Sequence, residues 1–261
     1  MGRSIVGNET SIALTCSVVA VTDLSVNTVQ VSLQAADDVA VSYLAGQYLK
    51  LELPLDGDGA VTPLFYSIAN RPNPMNPGSL EIFIYNGSEL ASRIIQYLRQ
   101  LTGSHEQVTV TLPMGKAYLQ TDLEKSHLLV AAGSGIAKIR CIAAEIVARS
   151  SNAQVDIYWS NRLAEDFYLL DEFRQLAEQY PNLSFTPILE SVASGWAGRT
   201  GYIYRVIEQD FDSLHSTRTY LCGSPNMVYG TIDQLSMLGL SEDSCYSDVF
   251  EYAPRQQSVA V

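Results

Sequence analysis

The 261-residue sequence predicts two domains, an antiparallel β-barrel followed by an α/β domain with a parallel sheet. Three observations predict this fold class. The first half contains short β-rich segments separated by turns, as in small barrels. After Leu119, strands alternate with helices, as in a parallel sheet with helices on both faces. In the second half, the stretch 127–144 joins a buried strand, a glycine turn and a helix. We place the domains at residues 9–114 and 120–253.

The barrel elements follow from hydrophobic periodicity. Six segments are β-rich or alternate apolar with polar side chains. They are Ile12–Val21, Thr28–Leu33, Tyr48–Leu53, Phe65–Ala69, Leu80–Tyr85 and Val108–Leu112. One helix is predicted at Glu89–Leu101, where apolar residues recur three and four positions apart.

The α/β elements alternate along the second half. The predicted strands are Leu128–Ala132, Val155–Trp159, Leu183–Leu189, Thr219–Cys222 and Asp248–Tyr252. The predicted helices cover residues 136–149, 165–179, 201–208 and 225–238. In such sheets, ligands bind beyond the carboxyl ends of the strands.

The turn Gly133-Ser134-Gly135 connects the first of these strands to its helix. Glycines let an anion approach the backbone, and the free N–H groups at the helix start attract it. The turn therefore predicts a nucleotide phosphate site. A tight turn without a ligand stays open as the alternative, because the complete G-x-G-x-x-G fingerprint is absent.

Composition excludes several function classes. A formal charge of −12 disfavours nucleic acid and anionic membranes as partners. The four cysteines are far apart, which argues against structural zinc and iron–sulfur clusters. No apolar leader or 18-residue apolar window is present, so we expect a cytoplasmic protein with reduced thiols. The isolated histidines at 105, 127 and 215 are predicted to be structural or exposed.

Seven motifs resemble, in order, those of the ferredoxin–NADP reductase superfamily. They are Ala45-Gly46-Gln47-Tyr48, Phe65-Tyr66-Ser67-Ile68-Ala69, Leu112–Leu119, Ala131–Ile136, Tyr158–Arg162 with Asp171–Phe173, Gly195–Gly201 and Cys222–Met227. The resemblance covers nearly the whole chain. Within the superfamily the chain looks most like the bacterial NAD(P)H:flavin reductases, including the type that serves luciferase.

This resemblance implies that the barrel binds FAD or FMN, either held or as a substrate. Tyr66 would pack on the isoalloxazine ring, and the Ser67 hydroxyl would lie near flavin N5. The backbone of Ile68 and Ala69 would hydrogen-bond the polar ring edge. The alternative is that Tyr66 and Ser67 only continue an alternating strand.

The resemblance also implies that the α/β domain binds NADH or NADPH. Its glycine turn (Gly133, Ser134 and Gly135) would hold the pyrophosphate, and Ser160 and Arg162 would meet the adenosine ribose. Cys222 and Gly223 would lie beside the nicotinamide, with Ser67 and Cys222 as the catalytic pair. Met227 would anchor the following helix, and Phe250 would approach the flavin. The alternative for Cys222 is a small buried hydrophobic residue, although the C-G-x-x-x-M context favours the functional placement. The alternative for Phe250, a core phenylalanine, explains it equally well.

The sequence departs from the family pattern at the arginine of the R-x-Y-S motif. Leu64 occupies that position and cannot pair with a flavin phosphate. Lys50 and Arg71 are candidate substitutes. Lys138 stands where many relatives have proline, and it is either a phosphate-binding cation or a solvated lysine.

Three functions remain open from the sequence. The first is an NAD(P)H-dependent flavin reductase that supplies reduced flavin to an acceptor such as a flavin-dependent monooxygenase. The second is a reductase that holds FAD and passes electrons to a partner protein. The third is a non-catalytic scaffold that has lost flavin binding, which Leu64 keeps open.

Overall fold

Two six-stranded sheets, one antiparallel and one parallel, organise the structure and confirm the predicted fold class. The computed structural model describes residues 10–36, 39–55, 60–150 and 152–255. The antiparallel sheet precedes the parallel one along the chain. The domain bounds stay a prediction, and residue 9 lies outside the described residues. No helix in the described part of the chain is long and apolar enough to cross a membrane.

The antiparallel sheet has the strand order β4-β3-β6-β1-β2-β5. Its strands are β1 (Ile12–Ser25), β2 (Thr28–Ala35), β3 (Tyr48–Leu53), β4 (Thr62–Ser67), β5 (Ser79–Tyr85) and β6 (Gln107–Met114). The two edges of the sheet meet just after β4, where Ala69 N donates a 2.7 Å hydrogen bond to the Glu81 carbonyl on β5. The Asn70 side chain accepts a second bond from Glu81 N. The sheet is thereby closed into a barrel, which removes its exposed edges.

Helix α1 (Glu89–Leu101) lies against the barrel. It begins after Ser88, whose hydroxyl accepts a hydrogen bond from Ala91 N and satisfies one free amide of the first turn. Its buried side chains, Ile94, Ile95 and Leu98 among them, recur three and four positions apart, as predicted.

The parallel sheet has the order β10-β9-β8-β7-β11-β12. Its strands are β7 (Ser126–Ala132), β8 (Val155–Asn161), β9 (Leu183–Leu189), β10 (Arg199–Thr200), β11 (Thr217–Cys222) and β12 (Cys245–Tyr246). Its helices are α2 (Ile136–Arg149), α3 (Leu170–Gln179), α4 (Ile203–Asp210), α5 (Pro225–Gln234) and α6 (Val249–Tyr252). The apolar run Leu128–Ala131 on β7 is fully buried, which is why it shows no alternation.

Four predicted elements are corrected. The predicted strand Asp248–Tyr252 is wrong, because the last strand is β12 and the segment after it turns into α6. The helix predicted at 201–208 begins only at Ile203, since Gly201 has a φ of +113°, outside the helical region. Residues 164–166 form a separate 3₁₀ turn before α3, and α5 ends at Gln234 before another at Ser236–Leu238.

Contacts between barrel and parallel sheet are extensive. Arg140 on α2 donates to Glu81 of the barrel and to Glu172 on α3, both at 2.6 Å. The loop before β3 packs directly on α2, because a methyl group on Gly46 would lie 3.0 Å from the Ile142 side chain. These contacts hold the ends of β4 and of β7 close to one another.

Candidate active site

The site lies where the winding of the parallel sheet changes direction. β7 and β11 are neighbours, but the chain runs from β7 outward through β8 to β10 before it returns to β11. From β7 and from β11 the chain therefore continues toward opposite edges of the sheet, and the carboxyl edge at such a switch point is the usual ligand position. The predicted residues Gly133–Gly135 and Cys222–Gly223 lie on these two loops.

The glycine turn has two structurally different glycines. Gly133 has a φ of +55°, with open space where a side chain would be. Gly135 has an ordinary helical φ of −57°, but a methyl group there would lie 2.3 Å from the Cys222 carbonyl oxygen. Gly135 is thus required by the close packing of the two loops, whereas Gly133 is required by backbone conformation.

The turn forms one 3₁₀ turn that continues into α2. Free amides at such a helix start can bind an anion, and Ser134 is exposed beside them. The buried Trp159 indole fixes the turn from below, donating a 2.9 Å hydrogen bond from Nε1 to the Gly133 carbonyl. The sequence analysis did not predict that Trp159 would support the glycine turn, because nothing in the local pattern indicates this contact.

The main cavity lies between the barrel, β11 and the C-terminal segment, and has a volume of about 370 Å³. This size falls within the range of about 300–1,000 Å³ for small-molecule sites. The barrel contributes Tyr48, Phe65, Tyr66 and Ser67, β11 and its loop contribute Leu221, Cys222 and Gly223, and the C-terminal segment contributes Ser247, Asp248, Val249, Glu251 and Tyr252. Aromatic rings on two walls suit a flat heteroaromatic ligand.

Ser67 and Cys222, the predicted catalytic pair, meet across this cavity although 155 positions separate them (222 − 67). Burial raises the pKa of the Cys222 thiol to about 11, although Lys138 and a hydrogen bond with the Ser67 side chain act in the opposite direction. Cys222 is therefore protonated at neutral pH and is not a nucleophile.

Tyr66 lines the same cavity, and burial raises the pKa of its hydroxyl to about 12. Tyr48 lies opposite Ser67 in the β3–β4 register and packs edge-on against the half-exposed Phe65. Tyr48 and Phe65 were present in two of the sequence motifs without an assigned role.

The backbone amides of Ile68 and Ala69, predicted to meet the flavin ring edge, form hydrogen bonds within the barrel. Ile68 N donates to the Gln47 carbonyl and Ala69 N donates to the Glu81 carbonyl, so neither amide hydrogen is available to a ligand. Both side chains are fully buried. Barrel closure thus uses the Ala69 amide, and a flavin contact by the backbone of this segment remains a prediction.

The remaining predicted residues occupy different surroundings. Ser160 is buried at the end of β8, while the exposed Arg162 lies 3.4 Å from Glu190. A methyl group on Gly223 would lie 2.3 Å from the Met227 side chain, so the loop and α5 pack closely. Phe250 packs on Tyr229 of α5, with ring centroids 5.8 Å apart, and does not line the main cavity.

Both expectations for Lys138 are wrong. Its side chain is 1% exposed, and its Nζ lies 2.7 Å from Asp248 Oδ2. It therefore neither binds a phosphate at the surface nor extends into solvent. Burial raises the pKa of Asp248 and the Lys138 ammonium opposes that rise.

The expected substitutes for the motif arginine are both paired with carboxylates. Lys50 lies 3.0 Å from Glu52, and Arg71 lies 3.7 Å from Glu145. Leu64 itself is partly buried against the hydrophobic core. A flavin phosphate would therefore compete with these carboxylates for Lys50 and Arg71.

Comparison with known proteins gives matches to both halves of the chain. A family model for an oxidoreductase NAD-binding domain matches residues 129–232. The NAD(P)H-flavin reductase of Vibrio harveyi is 26% identical over 223 residues, covering 85% of this chain and 91% of that protein. The NAD(P)H-flavin reductase of Aliivibrio fischeri is 24% identical, covering 92% and 99%. The structure of the cytochrome P450 reductase of Amycolatopsis matches with a TM-score of 0.80 and 27% identity, covering 94% of this chain and 72% of that one.

The chain is thus similar to proteins of the ferredoxin–NADP reductase superfamily over nearly its whole length. The resemblance based on seven motifs is therefore confirmed, as is the order of barrel and nucleotide-binding sheet expected of a superfamily member. The ligand-binding roles of individual residues remain predictions. The structure adds Trp159, Tyr48 and the Lys138–Asp248 pair to the residues that shape the site.

Proposed function

We propose that the chain is an NAD(P)H-dependent flavin reductase that binds flavin and nicotinamide in the main cavity. The main observation in support is that Ser67 of the barrel and Cys222 of β11 line one cavity at the switch point of the sheet. The likeness to two NAD(P)H-flavin reductases over most of both chains supports the same activity.

The cavity residues fit a flavin ring on three counts. The Tyr66 and Tyr48 rings offer apolar packing surface, the Ser67 hydroxyl can donate or accept a hydrogen bond, and the volume suits a ring system of this class. When bound, flavin supplies a ring that accepts a hydride from the nicotinamide.

The protein residues then orient the reactants and exclude water. Tyr66 supports one face of the flavin, and the Ser67 hydroxyl hydrogen-bonds near the accepting nitrogen. Cys222, a neutral thiol, provides close packing for the nicotinamide without reacting with it. The amides of the Gly133–Gly135 turn hold the pyrophosphate.

Flavin is a substrate that is released after reduction, and this is the favoured form of the proposal. Leu64 is packed against the core where the family motif has an arginine, and both neighbouring cations are paired with carboxylates. Because a phosphate would have to compete with these carboxylates for a charge-assisted bond, recognition rests mainly on the ring. Reduced flavin would then pass to an acceptor such as a flavin-dependent monooxygenase, in the cytoplasm.

A second candidate is a reductase that holds FAD and passes electrons to a partner protein. The match to a cytochrome P450 reductase at 27% identity favours it. The two candidates differ in how tightly flavin is held, which makes them separable by one spectrum.

The deciding experiment is a visible spectrum of the purified protein, followed by NADH and NADPH oxidation with and without riboflavin, FMN or FAD. We expect colourless protein whose oxidation rate depends on added flavin. A yellow protein that reduces its own flavin would favour the second candidate. A protein that is neither coloured nor active would favour the third interpretation, a non-catalytic scaffold that has lost flavin binding.

Ser67→Ala tests the role of the hydroxyl within this function. We expect hydride transfer to slow by roughly tenfold or more, because one hydrogen bond to the reacting ring is lost, with little change in NAD(P)H affinity. Thr62→Ala, on the same strand but outside the cavity, is the matched control. Unchanged turnover of Ser67→Ala at saturating substrates would remove Ser67 from the mechanism.

A further inference from the structure

Arg140 on α2 joins three parts of the structure through one side chain. Its Nη1 lies 2.6 Å from Glu81 Oε2 on β5 of the barrel, and its Nε lies 2.6 Å from Glu172 Oε1 on α3. The same Nη1 lies 3.4 Å from the carbonyl oxygen of Ala69, just after β4. One ion pair therefore crosses from the α/β half of the chain to the barrel, and the other stays within the α/β half.

The exposure of these ion pairs indicates that their main effect is on geometry. The Arg140 side chain is 23% exposed, and those of Glu81 and Glu172 are 27% and 45% exposed. Ion pairs that solvent reaches this easily contribute little to the free energy of unfolding. The planar guanidinium, however, presents its N–H donors in fixed directions, so it determines where its partners lie.

Backbone groups beside Arg140 extend the contact. Cys141 Sγ lies 3.0 Å from the Asn70 carbonyl oxygen. The Asn70 side chain accepts a hydrogen bond from Glu81 N, and the Glu81 carbonyl accepts one from Ala69 N. Arg140, Cys141, Ala69, Asn70 and Glu81 thus form one bonded unit between α2 and the barrel, which we call the Arg140 clamp.

The Arg140 clamp lies between the two reactant positions of the proposed function. Ala69 comes two residues after Ser67, whose hydroxyl is proposed to meet the flavin. Arg140 comes five residues after Gly135, at the end of the turn that is proposed to hold the nucleotide pyrophosphate. Because the intervening stretches are short, a shift of the clamp moves Ser67 relative to the glycine turn.

We propose that Arg140 is a positioning residue for hydride transfer, and that its ion pair with Glu81 sets the separation between flavin and nicotinamide. This inference rests on the proposed function. In the reaction, the C4–H bond of the nicotinamide breaks and the hydrogen passes to the flavin with both bonding electrons. The flavin also takes up one proton from solvent, and the nicotinamide is left oxidised. Transfer requires the reacting atoms to lie about 3–3.5 Å apart, so a displacement of about 1 Å can slow it by about a hundredfold.

A polar cavity beside the clamp makes substitutions there tolerable. It has a volume of about 310 Å³, is separate from the main cavity, and is lined by Arg140, Glu81 and Glu172 among others. Water can occupy a polar cavity of this size, so a neutral side chain at one of these positions leaves its former partners hydrated. The costly outcome, a buried polar group without any partner, is avoided. We therefore expect the variants to fold.

The test compares Glu81→Gln with Glu172→Gln. Each removes the charge from one partner of Arg140, and each partner lies at the same distance of 2.6 Å, but only Glu81 belongs to the barrel. We expect Glu81→Gln to slow hydride transfer by roughly tenfold or more at saturating NADH and flavin, measured by rapid mixing. Glu172→Gln is the matched control and should keep the wild-type rate. Equal slowing in the two variants, or slowing in neither, would overturn the proposal.

A double-variant cycle connects the effect to the ion pair itself. Arg140→Met removes both ion pairs and should slow hydride transfer at least as much as Glu81→Gln does. The double variant Arg140→Met, Glu81→Gln should be no slower than Arg140→Met, because the interaction between the two residues is already lost. Slowing that multiplies in the double variant would show that the residues act independently, which contradicts the proposal.

Substrate affinity distinguishes positioning from nucleotide recognition. The glycine turn lies in the same half of the chain as Arg140, so Glu81→Gln should bind NADH as the wild type does in calorimetric titrations without flavin. The unfolding midpoints of Glu81→Gln and Glu172→Gln in urea should be similar, because both pairs are accessible to solvent. A Glu81→Gln protein that regains the wild-type rate once NADH and flavin are saturating would assign the pair to substrate affinity and refute the positioning role.

Hydrogen exchange measures the placement of the barrel without any turnover. In the ligand-free protein, the amides of residues 68–71 should exchange faster in Glu81→Gln and in Arg140→Met than in the wild type, but not in Glu172→Gln. Unchanged exchange in Glu81→Gln would overturn the inference even if flavin reduction is confirmed. A wild-type protein that oxidises no NAD(P)H with any flavin would instead refute the proposed function, and the exchange comparison would still test the Arg140 clamp.

Discussion

Gly135→Ala tests whether the contact between the two loops of the switch point shapes the active site. The added methyl group would lie 2.3 Å from the Cys222 carbonyl oxygen, 2.8 Å from its carbonyl carbon and 3.2 Å from its Sγ. The nearest of these are backbone atoms, which cannot rotate away as a flexible side chain can. The carboxyl end of β11 or the start of α2 must therefore shift.

Two opposing effects determine how much Gly135→Ala changes the free energy of unfolding. Gly135 has helical backbone angles, φ −57° and ψ −16°, so alanine gains up to about 1 kcal/mol of helix propensity. Overpacking costs about 1–3 kcal/mol, and contact with backbone favours the upper end. We expect a net loss of about 2 kcal/mol in unfolding free energy, which lowers Tm by about 4–8 °C for a chain of this size.

The assay pairs urea or thermal unfolding with the rate of flavin-dependent NADH oxidation. Gly133→Ala is the control of similar cost, since alanine at a φ of +55° loses about 1–2 kcal/mol through backbone strain but meets no atom within 4 Å. Only Gly135→Ala displaces Cys222, so only that variant should lose roughly tenfold or more in hydride transfer. A Gly135→Ala protein with wild-type Tm and rate would refute the argument that the loops are in fixed contact.

Two further predictions concern the barrel and the base of the parallel sheet. Leu64→Arg should tighten FMN and FAD more than riboflavin, which has no phosphate, and equal effects in fluorescence titrations of all three would show that this position does not face the phosphate. Burial, assisted by Arg218, lowers the pKa of the fully buried His127, so below about pH 6.5 the unfolded chain binds a proton that the folded chain does not. The free energy of unfolding should therefore fall as the pH drops from 7.5 to 5.5, by up to about 1.4 kcal/mol per pH unit. Urea unfolding of His127→Leu should show a smaller fall. An equal fall in the variant would assign the pH dependence to other groups.

Local patterns of the chain predicted most of the fold. The alternating barrel segments, the apolar run of β7 and the helical spacing of α1 and α2 each record which faces are buried, and burial repeats at the period of the element. The C-terminal segment was predicted wrongly because four residues of mixed polarity contain no full period. Its conformation depends on contacts with distant residues, namely Lys138 on α2, Tyr229 on α5 and Lys116, whose N donates a 2.7 Å bond to Glu251.

The sequence by itself predicted the family resemblance, the order of the two sheets and part of the cavity lining, namely Tyr66, Ser67, Cys222 and Gly223. Motifs such as Tyr66-Ser67 and Gly133-Ser134-Gly135 are local, since the turn or strand that they need is encoded by adjacent residues. Only the tertiary structure decided what these residues contact. Lys138 was expected at the surface and is buried, because its partner Asp248 lies 110 positions away in the chain. The amides of Ile68 and Ala69 bond to the Gln47 and Glu81 carbonyls, which lie 21 and 12 positions away in the chain. Ion pairs and hydrogen bonds between distant residues depend on chain topology, which no local pattern records.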